Sequence, residues 1–293
     1  MGYMSVSQAA KKWKVAERTI RNYCAQGKID GAFLTGKTWN IPEDATNPKE
    51  KKITNNKLLN ILREQKEMKL KGGIYHKTQI DLTYNSNHIE GNRLSSEQTR
   101  YIFETNTIGM SEEVINIDDI IETTNHFKCI DYIIDNAEVE LSESMIKKLH
   151  FILKSNTSDS RKEWFAVGDY KKHANLAGDS PTCAPSLVSK EIKKILTKYN
   201  AKETKTVEDI IEFHRDFEAI HPFQDGNGIV GRLIMFKECL ANNIVPFIID
   251  EAHKILYYRG LKEWKYERGY LIDTCLACQD IYVTWLKYFG IEQ

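Results

Sequence analysis

At 293 residues, with 41% hydrophobic and 28% charged residues, the chain has an ordinary globular makeup and room for one large domain plus a small one, which excludes wholesale disorder and fibrous repeats. The longest apolar runs, such as Ile244 to Ile249, fall far short of the ~20 residues that span a bilayer, and no apolar stretch follows the N-terminal charges. Neither a membrane segment nor a secretory signal is expected, the cytoplasm is the expected location, and the six irregularly spaced cysteines suit reduced thiols.

The formal net charge of +0 hides an asymmetry, since residues 1–52 hold ten Lys or Arg against five Asp or Glu. A nucleic-acid partner is therefore a question for that part alone. Ser5 or Ser7 can cap a helix running through Lys12, and Ala16 to Gln26 reads as a second, with a short turn at Lys14-Val15. Two short extended runs around Gly36 then make a small β-wing that closes near Pro42. The polar stretch DATNPKEKK is the natural linker, which divides the chain into residues 1–48 and 49–293. Beyond it helical patterns dominate. Val207, Ile210, Ile211, His214, Phe217 and Ile220 recur at spacings of three and four, giving one buried stripe, and a further helix runs from about Val230 to Ala241.

Between those helices lies HPFQDGNGIVGR, residues 221 to 232. Gly226 and Gly228 carry no side chains, so backbone N–H groups can cradle phosphate oxygens, and the helix that follows points its positive end at the same anion. Asp225 offers a hard carboxylate suited to Mg²⁺, and Arg232, one turn into the helix, can reach the distal phosphate. His221 titrates near neutral pH and is the natural general base for a hydroxyl nucleophile.

This loop resembles the Fic family motif HxFx(D/E)GNGRxxR, and the preceding FHRDFEAI is similar to that family's approach helix; the resemblance covers roughly residues 55 to 290. It implies a mainly α fold, a Fic-type helical bundle with a small β-hairpin flap, that moves AMP from ATP with Mg²⁺ onto a Tyr, Thr or Ser hydroxyl of a protein, itself included. His221 is then the catalytic base, Asp225 the metal ligand, and Asp225, Gly226, Asn227, Gly228 and Arg232 hold the nucleotide. One position departs: Ile229 stands where the family has its first arginine, which removes a cation expected near the triphosphate.

Within the same resemblance, AVGDYKK (166–172) matches the start of the flap, so Val167, Gly168, Asp169 and Tyr170 are expected to border the nucleotide. Tyr257 and Tyr258 in HKILYYRGL are expected on the adenine side. SNHIEGN (86–92) resembles the inhibitory motif (S/T)xxxE(G/N), on a helix near 77–91. By that analogy Glu90 pairs with Arg232 and occupies the γ-phosphate's place, with Ser86 supporting the helix locally and Gly91 completing the motif.

VSQAAKKWKVAERTIRNYCAQGKIDGA resembles winged helix-turn-helix modules of the MerR and excisionase type, which implies DNA contacts from Arg18, Thr19 and Arg21, with Lys37 on the wing. A homodimer is expected by analogy with related Fic domains. Two readings stay open beside the transferase: a Fic enzyme with another donor or with deAMPylating activity, and a transcription regulator whose Fic domain only senses nucleotide. Cys275 and Cys278, a lone CxxC in a buried helical pattern, are expected to be core thiols, and His126, His150 and His173 lack ligand-spaced partners.

Overall fold

The structure is a computed structural model, and it describes residues 2–13, 15–25, 29, 31–36, 38–43, 45, 56–109, 114–178 and 180–291. The chain divides into two compact units, Met1–Asn55 and Asn56–Gln293. Lys37 and most of the expected linker lie outside the described residues.

The first unit begins with β1 (Tyr3–Met4), which sequence reasoning does not pick out, followed by α1 (Val6–Lys12) and α2 (Glu17–Ala25), both close to expectation. Ser5 and Gln8 close a reciprocal capping box on α1. The strands β2 (Phe33–Thr35) and β3 (Thr38–Pro42) form the expected hairpin, and β1 pairs antiparallel with the outer side of β3, giving the order β1-β3-β2. Met4, Ala9, Trp13, Ile20, Cys24 and Ile41 make its core. That leaves Arg18 and Arg21 exposed on α2, with Arg21 bonded to Glu17 at 2.7 Å.

The second unit is helical throughout its framework: α3 (Lys57–Met68), α4 (Ile74–Ile89), α5 (Ser96–Thr105), α6 (Ile117–Asp135), α7 (Glu143–Lys154), a two-stranded hairpin of β4 (Leu176–Ala177) and β5 (Ser180–Pro181), α8 (Val188–Asn200), α9 (Val207–Ile220), α10 (Asn227–Ala241), α11 (Lys254–Glu263) and α12 (Gly269–Tyr288). Thr206 and Asp209 cap α9 reciprocally, and the expected apolar stripe of that helix packs inward through Ile210, Ile211, Phe217 and Ile220. The helix α10 is buried on every face, from Asn227 to Leu240. It is the central rod of the bundle, with α4, α6, α7 and α9 packed on it. Cys275 and Cys278 are buried free thiols on α12.

Two expectations need correction here. The helix after the loop starts at Asn227, three residues before Val230, because Gly226 takes the left-handed conformation (φ +78°) and turns the chain directly into it. The flap segment 166–172 contains no strand; it is a turn, and the hairpin follows at 176–181.

Candidate functional site

The site is built where α9 ends, the loop turns and α10 begins. His221 is the C-cap of α9, in the left-handed region at φ +52°, which swings its ring out of the helical path. Asn227 closes the loop: its Oδ1 accepts the Phe223 N–H at 2.7 Å and its Nδ2 donates to the Phe223 carbonyl at 2.9 Å. Buried and doubly engaged this way, Asn227 shapes the cradle and turns its amide inward. At Gly226 a Cβ would press on Leu153 and on the Lys154 stem, each at 3.3 Å, so the positive φ and the packing both demand glycine.

Gly228 faces the open end of the cradle. A Cβ there would lie 2.1 Å from Glu90 Oε1, so the absent side chain is replaced by a carboxylate, set against the first turn of α10 where backbone N–H groups point. Glu90 is the C-cap of α4, and Gly91 (φ +96°) turns the chain away after it. Arg232 meets the same carboxylate at 2.8 Å through Nη2, while the same Nη2 donates to the Ser86 carbonyl at 2.8 Å and Nε donates to Ser86 Oγ at 3.0 Å. Ser86 is thus a ligand of the arginine rather than a local support of its helix. Burial works against the charge of Arg232, but Glu90 with Tyr257 and Glu218 raises its pKa above the ordinary arginine value.

Burial and then the nearby Lys171 ammonium push His221 below the usual imidazole value, with Glu90, Asp225 and the Glu218 carbonyl pulling the other way. The ring is therefore neutral and able to accept a proton near pH 7. Asp225 is bonded to Lys154, a buried lysine that also meets Glu122 at 2.5 Å. Burial opposes its ionisation, yet Lys154 holds its carboxyl below the usual range. Among the described residues no cluster of three or more His, Cys, Asp or Glu could hold a metal alone. A single carboxylate suits Mg²⁺, which takes one or two protein ligands and fills its shell from phosphate and water, provided that Lys154 shares Asp225.

The other expected residues fall less uniformly. Ile229 is buried in the main core, so its side chain faces packing and not the cradle. Tyr257 is buried as well, with its hydroxyl 2.6 Å from His214 Nε2 and its ring beside Arg232. In this state it lies behind the arginine, out of a nucleotide's reach. Tyr258 is exposed, and its hydroxyl donates to the Ile89 carbonyl at 3.3 Å, one residue before Glu90.

In the flap turn, Asp169 pairs with Lys147 at 2.9 Å, Tyr170 packs on the Lys147 ammonium and Phe223, Val167 is half-buried, and the Gly168 N–H donates to His150 Nδ1 at 2.9 Å. These contacts face α7. The turn is tied to the motif by Lys171, whose N–H donates to the Pro222 carbonyl at 2.9 Å and whose buried Nζ reaches Asn175, Thr182 and the Ile220 carbonyl. His126 and His150 are structural: one bonds Thr83, the other stacks on Phe223. Sequence reasoning misses Lys154, Lys171, Glu122 and Glu218. Only Glu218 carries a local signal, three residues before His221 on the same helix.

With this geometry in place, comparison with known proteins is informative. Residues 140–239 match the Fic/DOC family model. This region is similar to Fic/DOC family domains. The stretch around Glu90 precedes the matched Fic region.

Among curated proteins the chain is similar to protein adenylyltransferase fic-1 of Caenorhabditis elegans, at 27% identity over 61% of this chain and 35% of that protein, and to protein adenylyltransferase Fic of Drosophila melanogaster, at 25% over 61% and 36%. The chain thus spans about a third of the length of the relatives it matches. Among solved structures it resembles a Fic domain containing signaling protein from Bacteroides thetaiotaomicron (21% identity, 80% of this chain, 98% of that one, TM-score 0.62) and Fic-1 from C. elegans (20%, 80% and 71%, TM-score 0.62). The fold is that of Fic proteins. No described helix is long and apolar enough to cross a membrane.

Proposed function

We propose that this chain is a protein adenylyltransferase that moves AMP from ATP onto a side-chain hydroxyl of a protein, itself included, and that Glu90 holds it in check. The observation that carries this reading is the Glu90 carboxylate lodged against Gly228 at the start of α10 and bonded to Arg232. A carboxylate fits there because the place is made for an anion: a helix N-terminus, a glycine with room for a close approach, and a buried guanidinium. A terminal phosphate of ATP has the same chemistry and competes for the same place.

With phosphates in the cradle, His221 takes the proton of the target hydroxyl as its oxygen attacks the α-phosphate, and pyrophosphate leaves in line. The amides of the first turn of α10 and Arg232 stabilise charge that develops on the phosphate oxygens. Mg²⁺ held through Asp225 would neutralise phosphate charge. On this reading the hairpin β4-β5, tied to the loop through Lys171 and Asn175, aligns the target's backbone beside His221.

The test is incorporation of α-labelled ATP with Mg²⁺ into the parent protein, Glu90→Gly and His221→Ala. Label that rises in the first variant and vanishes in the second supports an inhibited transferase. No label in any of the three rejects AMP transfer to itself, and equal label in parent and His221→Ala rejects the base.

A second reading, a regulator that senses nucleotide, draws support from Lys154 occupying Asp225 and from the first unit, whose α2 exposes Arg18 and Arg21 beside the half-buried Thr19. We infer that this unit docks on DNA through α2. Loss of duplex binding in Arg18→Ala together with Arg21→Ala tests it.

A further inference from the structure

Glu218 lies on α9 three residues before His221 and has no part in the transfer described above. Its carboxyl packs on Gly231, where a Cβ would sit 2.7 Å from its Oε1, and that oxygen is closed off from solvent with no hydrogen-bond partner. Arg232, the next residue along α10, has the complementary defect: its Nη1 is buried and also lacks a partner. A buried acceptor and a buried donor, each unpaired, thus lie in one neighbourhood of the core.

The charged and titratable groups facing Glu218 are Arg232 from α10, Glu90 from α4, Tyr257 and Tyr258 from α11, and His214 and His221 from its own helix. Burial, then Glu90, push its carboxyl up to about 8, against the pull of Arg232. While Glu90 neutralises the arginine, a second carboxylate beside it has no counter-charge left and keeps its proton.

We propose that Glu218 is a positioning residue, the stand-by counter-ion of Arg232: it holds a proton while Glu90 or a bound phosphate neutralises the arginine, and releases it to water when the arginine is left without an anion. The guanidinium cannot lose its own charge, so a buried Arg232 deprived of Glu90 keeps its Ser86 hydrogen bonds but is left with an uncompensated charge that a neighbouring anion would neutralise. A nucleotide phosphate arriving in the released enzyme brings its own negative charge, and Glu218 then takes a proton back from solvent. This rests on the reading that the start of α10 binds nucleotide phosphate.

The test uses an ATP analogue with a methylene bridge between the α and β phosphates, titrated calorimetrically into Glu90→Gly and into Glu90→Gly with Glu218→Gln, in buffers of differing ionisation enthalpy. Glu90→Gly is expected to take up more protons on binding than the double variant, by as much as about one. Its affinity is expected to fall several-fold between about pH 7 and about pH 8.5, where the double variant stays flat. Equal proton uptake and parallel pH dependence in the two variants overturn the proposal. Should the double variant fail to fold by thermal melting, a flat affinity of Glu90→Gly across the same range overturns it. Absence of binding in both folded variants rejects the nucleotide site itself, and the proposal with it.

Discussion

Replacing Glu90 by glycine isolates one interaction with little collateral damage. The substituted position has an ordinary backbone conformation (φ −89°), and Gly91, with its positive φ, still ends α4. Both hydrogen bonds from Arg232 to Ser86 survive, so the guanidinium keeps its anchor and loses only its charged partner. A hydrogen bond between charged groups contributes about 1.5–3 kcal/mol, and because the Glu90 side chain is 36% exposed the lower end applies, roughly 1.5–2 kcal/mol. That corresponds to an increase of about 10–30-fold in the population of open cradles. The assay is single-turnover incorporation of α-labelled ATP at nucleotide well below saturation, where occupancy follows the open fraction, with a thermal melt to show that parent and variant are equally folded. An increase below about twofold in a folded variant would refute the idea that this carboxylate limits access to the cradle.

Further expectations follow from the same contacts. Tyr258→Phe loses a long, part-buried hydrogen bond to the Ile89 carbonyl, so basal label incorporation should rise by no more than about threefold; a larger rise would mean that α11 and not Glu90 governs release. Lys154→Met leaves Glu122 and Asp225 without their shared cation; because the Asp225 side chain is 59% exposed, stability in urea should fall by no more than about 2–3 kcal/mol, whereas a loss under about 0.5 kcal/mol would show the triad to be incidental.

Acid should destabilise the protein early. Burial lowers the pKa of His126, His150 and His214 to about 3, so below the ordinary imidazole value of about 6.5 the unfolded chain binds protons that the folded one refuses. That stability is complete above about pH 6.5 and is lost as pH falls. Glu218, raised to about 8, works in the opposite direction in this window, because its folded form binds a proton that the unfolded one lacks. For these four groups the difference of three and one is two protons, at most about 3 kcal/mol per pH unit, to which His221 adds in the same direction, measurable by urea unfolding between about pH 6.5 and about pH 5. A flat profile there would contradict the burial of neutral histidines.

Much of the site can be read directly from the chain because it is local. The residues from His221 to Arg232 are contiguous, and their chemistry depends on a turn and a helix start that glycine, asparagine and periodicity announce within twelve positions. The apolar stripe of α9 and the capping box at its start are equally local. What the tertiary structure alone decides is which distant groups meet this loop. Lys154, the last residue of α7, carries no pattern that marks it as the partner of Asp225, and Ser86 reads as a local helix residue until Arg232 arrives from α10 with two hydrogen bonds. Ile229 reads as a missing cation until packing turns it into the core, and Tyr257 reads as a nucleotide neighbour until it is found buried on His214. Local conformation is set by nearest-neighbour sterics and hydrogen bonding, which a sequence displays. The pairing of buried charges depends on which helices cross α10 and at what height, and only the folded chain contains that information.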